Sequence, residues 1–161
     1  MSYNNYHTKN IIGLSLFHYR LYKAGHFLYL KKEILLFKVL KYLLKFPYKC
    51  TSLLLNCHVP FSVSIGENLV LPHGFFGIFI SKDTKIGNNV LIFHQVTIGS
   101  NRHTADDFGS PIIGDNVFIG VGSKIIGKII IGNNVKVGAN AIVVNNISDN
   151  KTFVSQKGVL L

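Results

Sequence analysis

The sequence has no tryptophan, one methionine, two cysteines and four prolines, and only 7 acidic residues stand against 17 lysines and arginines. Two cysteines, Cys50 and Cys57, can form one bridge at most, which excludes a disulfide framework; both are read as free thiols. Charged residues are few at 15% while 48% are apolar, which excludes a disordered chain and supplies material for a core. Long apolar runs are missing too. Each is broken by Lys, Arg, His or Glu well before the roughly 18 residues that a spanning helix needs, and residues 1–9 do not lead into a signal-peptide core. The expectation is a cytoplasmic chain whose 161 residues make one domain with an appendage.

The charge that is present is unevenly placed. Residues 1–60 hold 9 Lys+Arg and one acid, Glu33, whereas residues 61–161 hold 8 basic and 6 acidic side chains. Thirteen of the 15 glycines also follow residue 60. These shifts divide the chain into a basic arm, 1–58, and a second unit, 59–161. The arm reads as helical over about 12–28, interrupted by Gly25, and again from Lys31 to Pro47, where proline is expected to end the helix. In the second segment Lys38, Lys41 and Lys45 fall opposite Leu36, Leu40, Leu43 and Leu44. The expected arrangement packs those leucines on the domain and leaves the lysines in water; peripheral contact with an anionic membrane is the alternative. Nucleic acid is not an expected partner, because residues 1–60 contain a single arginine, Arg20.

A period of six governs the second unit. Ile65 and Leu71, then Ile86, Ile92 and Ile98, then Ile113, Ile119, Ile125, Ile131, Val137 and Val143 recur at that spacing, and glycine follows most of them, as at Gly66, Gly87, Gly114 and Gly132. One hexad makes a short strand and a turn, and three make a triangular coil whose aliphatic residues stack inward. Glycine and asparagine are expected at corners with positive φ. The period therefore predicts a parallel β-helix with a filled interior. Two gaps break it, Leu71 to Ile86 and Ile98 to Ile113, and each is longer than the two hexads that would continue the repeat. Each is read as three extra residues, the second placing a projecting polar loop at 100–111 that includes Arg102 and His103.

The segments Ile65-Gly-Glu-Asn-Leu-Val-Leu-Pro-His73-Gly, Val96-Thr97-Ile98-Gly99 and Pro111-Ile-Ile-Gly114-Asp115-Asn-Val-Phe-Ile119-Gly120-Val-Gly122 resemble hexapeptide acyltransferases of the serine acetyltransferase type. They are also similar to shorter relatives that O-acetylate capsular or lipopolysaccharide sugars. The resemblance covers about residues 56–150. It implies a homotrimer of left-handed parallel β-helices with an N-terminal helical arm, acetyl-CoA as co-substrate in the groove between neighbours, and no metal. By position, Gly99, Ser100, Val121, Gly122 and Ala139 would line the pantetheine arm, with Lys136 near a CoA phosphate.

Acetyl transfer to a hydroxyl needs a base to take the proton as the new C–O bond forms, and imidazole suits this near neutral pH. His73 matches the family's base. The carboxylate that orients it in the family has no counterpart in Asn56-Cys57-His58-Val59-Pro60, and the family's second histidine is matched by Ser110, with His103 as its replacement. His94 occupies the same place in its hexad as His73 and is an acceptor-side or auxiliary candidate, against a plain surface role. A carbonic-anhydrase-like metal site drawn from His58, His73, His94 and His103 is a lesser alternative.

The family's acidic and arginine contacts to the amino-acid acceptor fall here on Pro72 and Gly109. Losing two charge-assisted bonds, roughly 1.5–3 kcal/mol each, argues against serine, as does the short arm. The expected activity is therefore acetyl-CoA-dependent O-acetylation of a sugar or glycan hydroxyl in a bacterial surface polysaccharide or its precursor, at the inner face of the membrane. Serine O-acetylation, with Arg102 supplying a contact, is the alternative. A trimeric platform that docks a membrane or partner without catalysis is the alternative of another class.

Overall fold

The structure is a computed structural model and describes residues 13–31, 35–101 and 108–155. Helices α1 (Leu14–Leu30) and α2 (Leu35–Leu54) precede twelve short strands, β1 to β12 in chain order. Every pairing between them is parallel. The first sheet contains β1 (Ser64–Ile65), β3 (Lys85–Ile86), β6 (Ile112–Ile113) and β9 (Ile130–Ile131). The second contains β4 (Leu91–Ile92), β7 (Phe118–Ile119), β10 (Lys136–Val137) and β12 (Thr152–Phe153). The third contains β2 (Phe79–Ile80), β5 (Thr97–Gly99), β8 (Lys124–Ile126) and β11 (Ile142–Val143). Successive strands step from sheet to sheet, so the chain winds a three-sided coil. Its axis is filled by the expected aliphatic residues: Ile98, Ile119, Ile125, Ile131 and Val137 are wholly buried.

Strand register corrects the spacing argument at one of the two gaps. The step from Val70 to its bridge partner Leu91 is three positions longer than the step from Phe79 to Thr97. Three extra residues therefore lie between Val70 and Phe79, in the turn at 72–77. The step from Ile98 to its partner Ile125, however, is nine positions longer than the step from Ile125 to Val143. The second gap holds nine extra residues, not three, because it contains one hexad of coil instead of two.

The repeat glycines also do something other than expected. Positive φ belongs to the asparagines, among them Asn68, Asn89, Asn116, Asn134 and Asn150, and to none of Gly66, Gly87, Gly114 and Gly132. Those glycines sit where one coil's backbone lies directly on the next: a Cβ on Gly87 would come within 2.7 Å of the Gly114 carbonyl. The asparagines form a ladder, Asn68 donating to Asn89 at 2.9 Å and Asn89 to Asn116 at 3.1 Å, which ties successive corners together.

The arm departs from expectation twice. Helix α2 does not stop at Pro47 but runs through it to Leu54. Proline removes one helical hydrogen bond, and the turn beyond it is held by packing instead, with Thr51 and Leu55 buried. Of the leucines opposite the lysines, moreover, only Leu44 is turned toward the domain. Leu36, Leu40 and Leu43 are exposed, and the inward face is formed by Phe37, Leu44, Tyr48, Thr51 and Leu55. Through that inward face the arm shares one continuous core with the first coil, including Tyr19, Tyr22, Leu55, Val63 and Phe75.

Candidate active site

His73 lies in the three-residue expansion, the turn at 72–77 that leads from the second sheet to the third. Its imidazole is exposed, while the next two residues are buried. Gly74 holds φ at 66°, a conformation that costs other residues more. Phe75 then points into the core at 1% exposure. The arm braces this turn from below. The Phe75 amide donates to Ser15 Oγ of α1 at 3.3 Å, and the Phe75 ring meets His18 edge-on at 5.0 Å.

His18 anchors that brace. Its ring stacks on Tyr48 at 4.5 Å, its Nδ1 lies 2.8 Å from Thr51 Oγ1 and its Nε2 lies 3.5 Å from Cys57 Sγ. Thr51 already donates its hydroxyl proton to the Tyr48 carbonyl, so Nδ1 of His18 must be the donor and Nε2 accepts from the Cys57 thiol. Burial stabilises both neutral forms, lowering His18 to about 4 and pushing Cys57 up to about 11. Cys57 is thus an inert structural thiol.

On the outer surface, His73 has aromatic neighbours and, among the described residues, no hydrogen-bond partner for its ring. Phe93 is 5.7 Å away and His94 meets it edge-on at 4.8 Å. His94 Nδ1 is buried without a partner among the described residues. Phe93 contacts Phe118 at 5.5 Å. Phe118 in turn lines a shallow open groove with Lys136, Val137, Gly138 and Thr152. An aromatic row therefore runs along the second sheet from His73 to Lys136. The sequence carried a signal for it in Phe93 and Phe118, aromatics beside the inward hexad positions, but not for the bracing by Ser15 and His18.

The remaining candidates fall in two groups. His94, Val121, Gly122 and Ala139 share one stacked corner, where the Gly122 amide donates to the His94 carbonyl at 3.1 Å and the Asn140 amide to the Val121 carbonyl at 2.8 Å. Lys124 pins this corner through the Gly122 and Gln95 carbonyls, at 2.7 and 3.2 Å. Gly99 and Ser100 lie across the third sheet, where the longest register step begins. Ser110 is near that second place, donating to the Lys82 carbonyl and accepting from Ser81, so within the chain it supports a corner and is not brought to His73. Arg102 and His103 lie outside the described residues. His58 bridges Phe79 through its backbone. Among the described residues no three His, Cys, Asp or Glu side chains gather as a metal site would require.

A coil of hexads with an imidazole on its outer corner defines a class, the hexapeptide-repeat transferases, and the family model for the bacterial transferase hexapeptide, six repeats, matches residues 110–145. The chain is 34% identical to the serine acetyltransferase of Staphylococcus xylosus over 83% of its own length and 58% of that enzyme. It is 30% identical to the serine acetyltransferase of Helicobacter pylori, covering 84% of this chain and 74% of that enzyme. The chain belongs to the serine acetyltransferase family. The crystal structure of the Neisseria gonorrhoeae serine acetyltransferase in complex with serine matches with a TM-score of 0.69 and 31% identity over 84% of this chain and 52% of that one. The coil is the left-handed parallel β-helix of that family, with two helices before it. The chain spans little more than half the length of the Staphylococcus and Neisseria proteins.

These relatives overturn the expectation of a sugar acceptor. All are serine acetyltransferases, and the chain covers 74% of the H. pylori enzyme at 30% identity. Pro72 and Gly109 exclude two particular ionic contacts, but an ammonium and a carboxylate can be met by backbone groups and by other side chains.

Proposed function

We propose that this chain catalyses acetyl-CoA-dependent O-acetylation of serine. The observation that carries the reading is its match to the H. pylori serine acetyltransferase across 84% of its length, a span long enough to take in most of the coil. His73 takes the proton of the serine hydroxyl as that oxygen attacks the thioester carbonyl; the tetrahedral intermediate then collapses, the C–S bond breaks, and the proton passes to the departing thiolate. The exposed ring of His73, unencumbered by protein hydrogen bonds among the described residues, suits a base that must meet a substrate hydroxyl. The small residues of the stacked corner, Val121, Gly122 and Ala139, receive the pantetheine arm. Lys136 at the end of the aromatic row meets a CoA phosphate. Gly99 and Ser100, at the C-terminal end of β5 in the third sheet, serve a neighbouring protomer's groove in a homotrimer.

Thiol release from acetyl-CoA with L-serine tests this. Wild-type protein is expected to turn over, and His73→Ala to lose roughly two to four orders of magnitude in kcat/KM. Absence of serine-dependent release, or equal rates in the variant, would overturn it.

A further inference from the structure

The outward face of α2 carries an apolar surface that the domain does not use. At about 100° per residue, Leu35, Val39, Tyr42, Leu43, Phe46 and Leu53 fall within an arc of about 100°. Leu35 is 74% exposed and Phe46 77%. The helix is anchored by nearly the opposite side, where Tyr48 donates to the Val59 carbonyl and Thr51 holds His18. The apolar stripe is therefore not a packing face awaiting rotation; the inward contacts fix it toward the outside. Lys38, Lys45 and Lys49 form a row along one border of the stripe, beside Tyr42, and Lys45 lies 5.8 Å from the Tyr42 ring.

Charge decides which partner fits. Residues 1–60 contain 9 basic side chains and one acid, Glu33. A second copy of the arm would bring like charges together at the border of the stripe. A leaflet with anionic headgroups offers an apolar layer at the depth of the leucines and negative charge at the level where lysines can extend their ammonium groups. We propose that α2 lies in the surface of an anionic bilayer, with Phe46 at the centre of the buried stripe, Leu43 on its border away from the lysines, and the lysine row on the headgroups. No helix among the described residues is long and apolar enough to cross a membrane, so the contact is peripheral.

Vesicle flotation with the full chain tests the proposal. Vesicles containing about one third phosphatidylglycerol in phosphatidylcholine are expected to carry the protein upward, and phosphatidylcholine alone to bind at least about tenfold less. The bound fraction falls as salt is raised. The double variant Leu43→Asp/Phe46→Asp loses flotation. Lys38→Gln/Lys45→Gln/Lys49→Gln loses the preference for phosphatidylglycerol, by up to about a hundredfold in affinity. All five side chains lie outside the brace and the coil, and unchanged thermal unfolding would verify the fold of each variant. Wild-type protein that stays with the lipid-free fraction, or flotation unchanged in the aspartate variant, overturns the proposal. It is equally overturned if sedimentation shows an assembly that the aspartate pair dissociates while no vesicle is bound, since the face would then join copies of the chain.

Discussion

In the coil, most buried side chains belong to rows of near-identical aliphatics, each with its own counterpart one turn away as neighbour, as Ile92 pairs with Ile119 and Ile119 with Val137. In the arm, no such repetition exists. Its inward side includes His18, Tyr22, Tyr48 and Thr51, polar-tipped residues that hydrogen-bond to coil carbonyls or to one another, as Tyr22 does to the Val63 carbonyl at 2.6 Å, and Tyr19, which stacks on Tyr22 and Phe75. Of its leucines, Leu55 is buried in that core, while Leu35, Leu36, Leu43 and Leu53 face outward. The coil's burial thus follows from local period, while the arm's follows from what the first coil leaves open: carbonyls not yet paired by a preceding turn. Phe75 is where the two meet, and His73 stands two residues before it.

The largest test of that junction is Phe75→Ala. Removing a fully buried ring shared by both regions is expected to cost about 3–5 kcal/mol in urea unfolding, and serine-dependent thiol release should fall with it as the His73 turn loses its anchor. A fully active, equally stable variant would separate the arm from the site.

A second test uses pH. His18 is neutral in the fold with its pKa lowered to about 4 from 6.5. Between those values the unfolded chain binds the extra proton, so stability is fully present above pH 6.5 and is lost as pH falls toward 4, by on the order of 3 kcal/mol. His18→Asn, which keeps a donor toward Thr51, should flatten that slope. Among the described residues the coil has no wholly buried imidazole, its His94 being half-buried, so an unchanged slope would mean that the acid sensitivity does not come from His18.

Within the coil itself, Asn89→Ala should cost about 1–2 kcal/mol, because alanine is strained at the observed φ of 55° and the amide ladder is broken there. Asn89→Gly, which keeps the backbone comfortable and loses only the ladder, should cost less. Equal losses would assign the effect to the side-chain bonds alone.

How much of this could be read from sequence follows the same division. The interior of the coil was legible because an aliphatic residue recurring every sixth position has one explanation. The size of the second insertion was not, since the spacing from Ile98 to Ile113 satisfies either one hexad plus nine or two plus three, and only the pairing of Ile98 with Ile125 distinguishes them. The role of the repeat glycines was not legible either, because close coil stacking leaves the same trace in sequence as a positive φ. His73 was legible as chemistry within a motif. Its brace was not, since Ser15 and His18 lie far back in the chain, in the first helix, and belong to no repeat. The helical wheel of α2 separated lysines from leucines correctly, but amphipathicity alone does not say which face is bound when Tyr48 and Thr51 offer the domain better hydrogen bonds.

The smallest expected effect is the sharpest test of that last point. Phe46→Asp places a charge in the middle of the most apolar stretch of α2. Were that stripe a core face, burying an unpaired carboxylate would cost several kcal/mol. At 77% exposure the side chain stands in water, so the thermal unfolding of the protein without lipid should move by no more than about 0.5 kcal/mol. A lipid-free loss of about 2 kcal/mol or more would mean that the outward face is packed in solution, and the contrast between an arm that uses its polar side and a coil that uses its apolar one would fail.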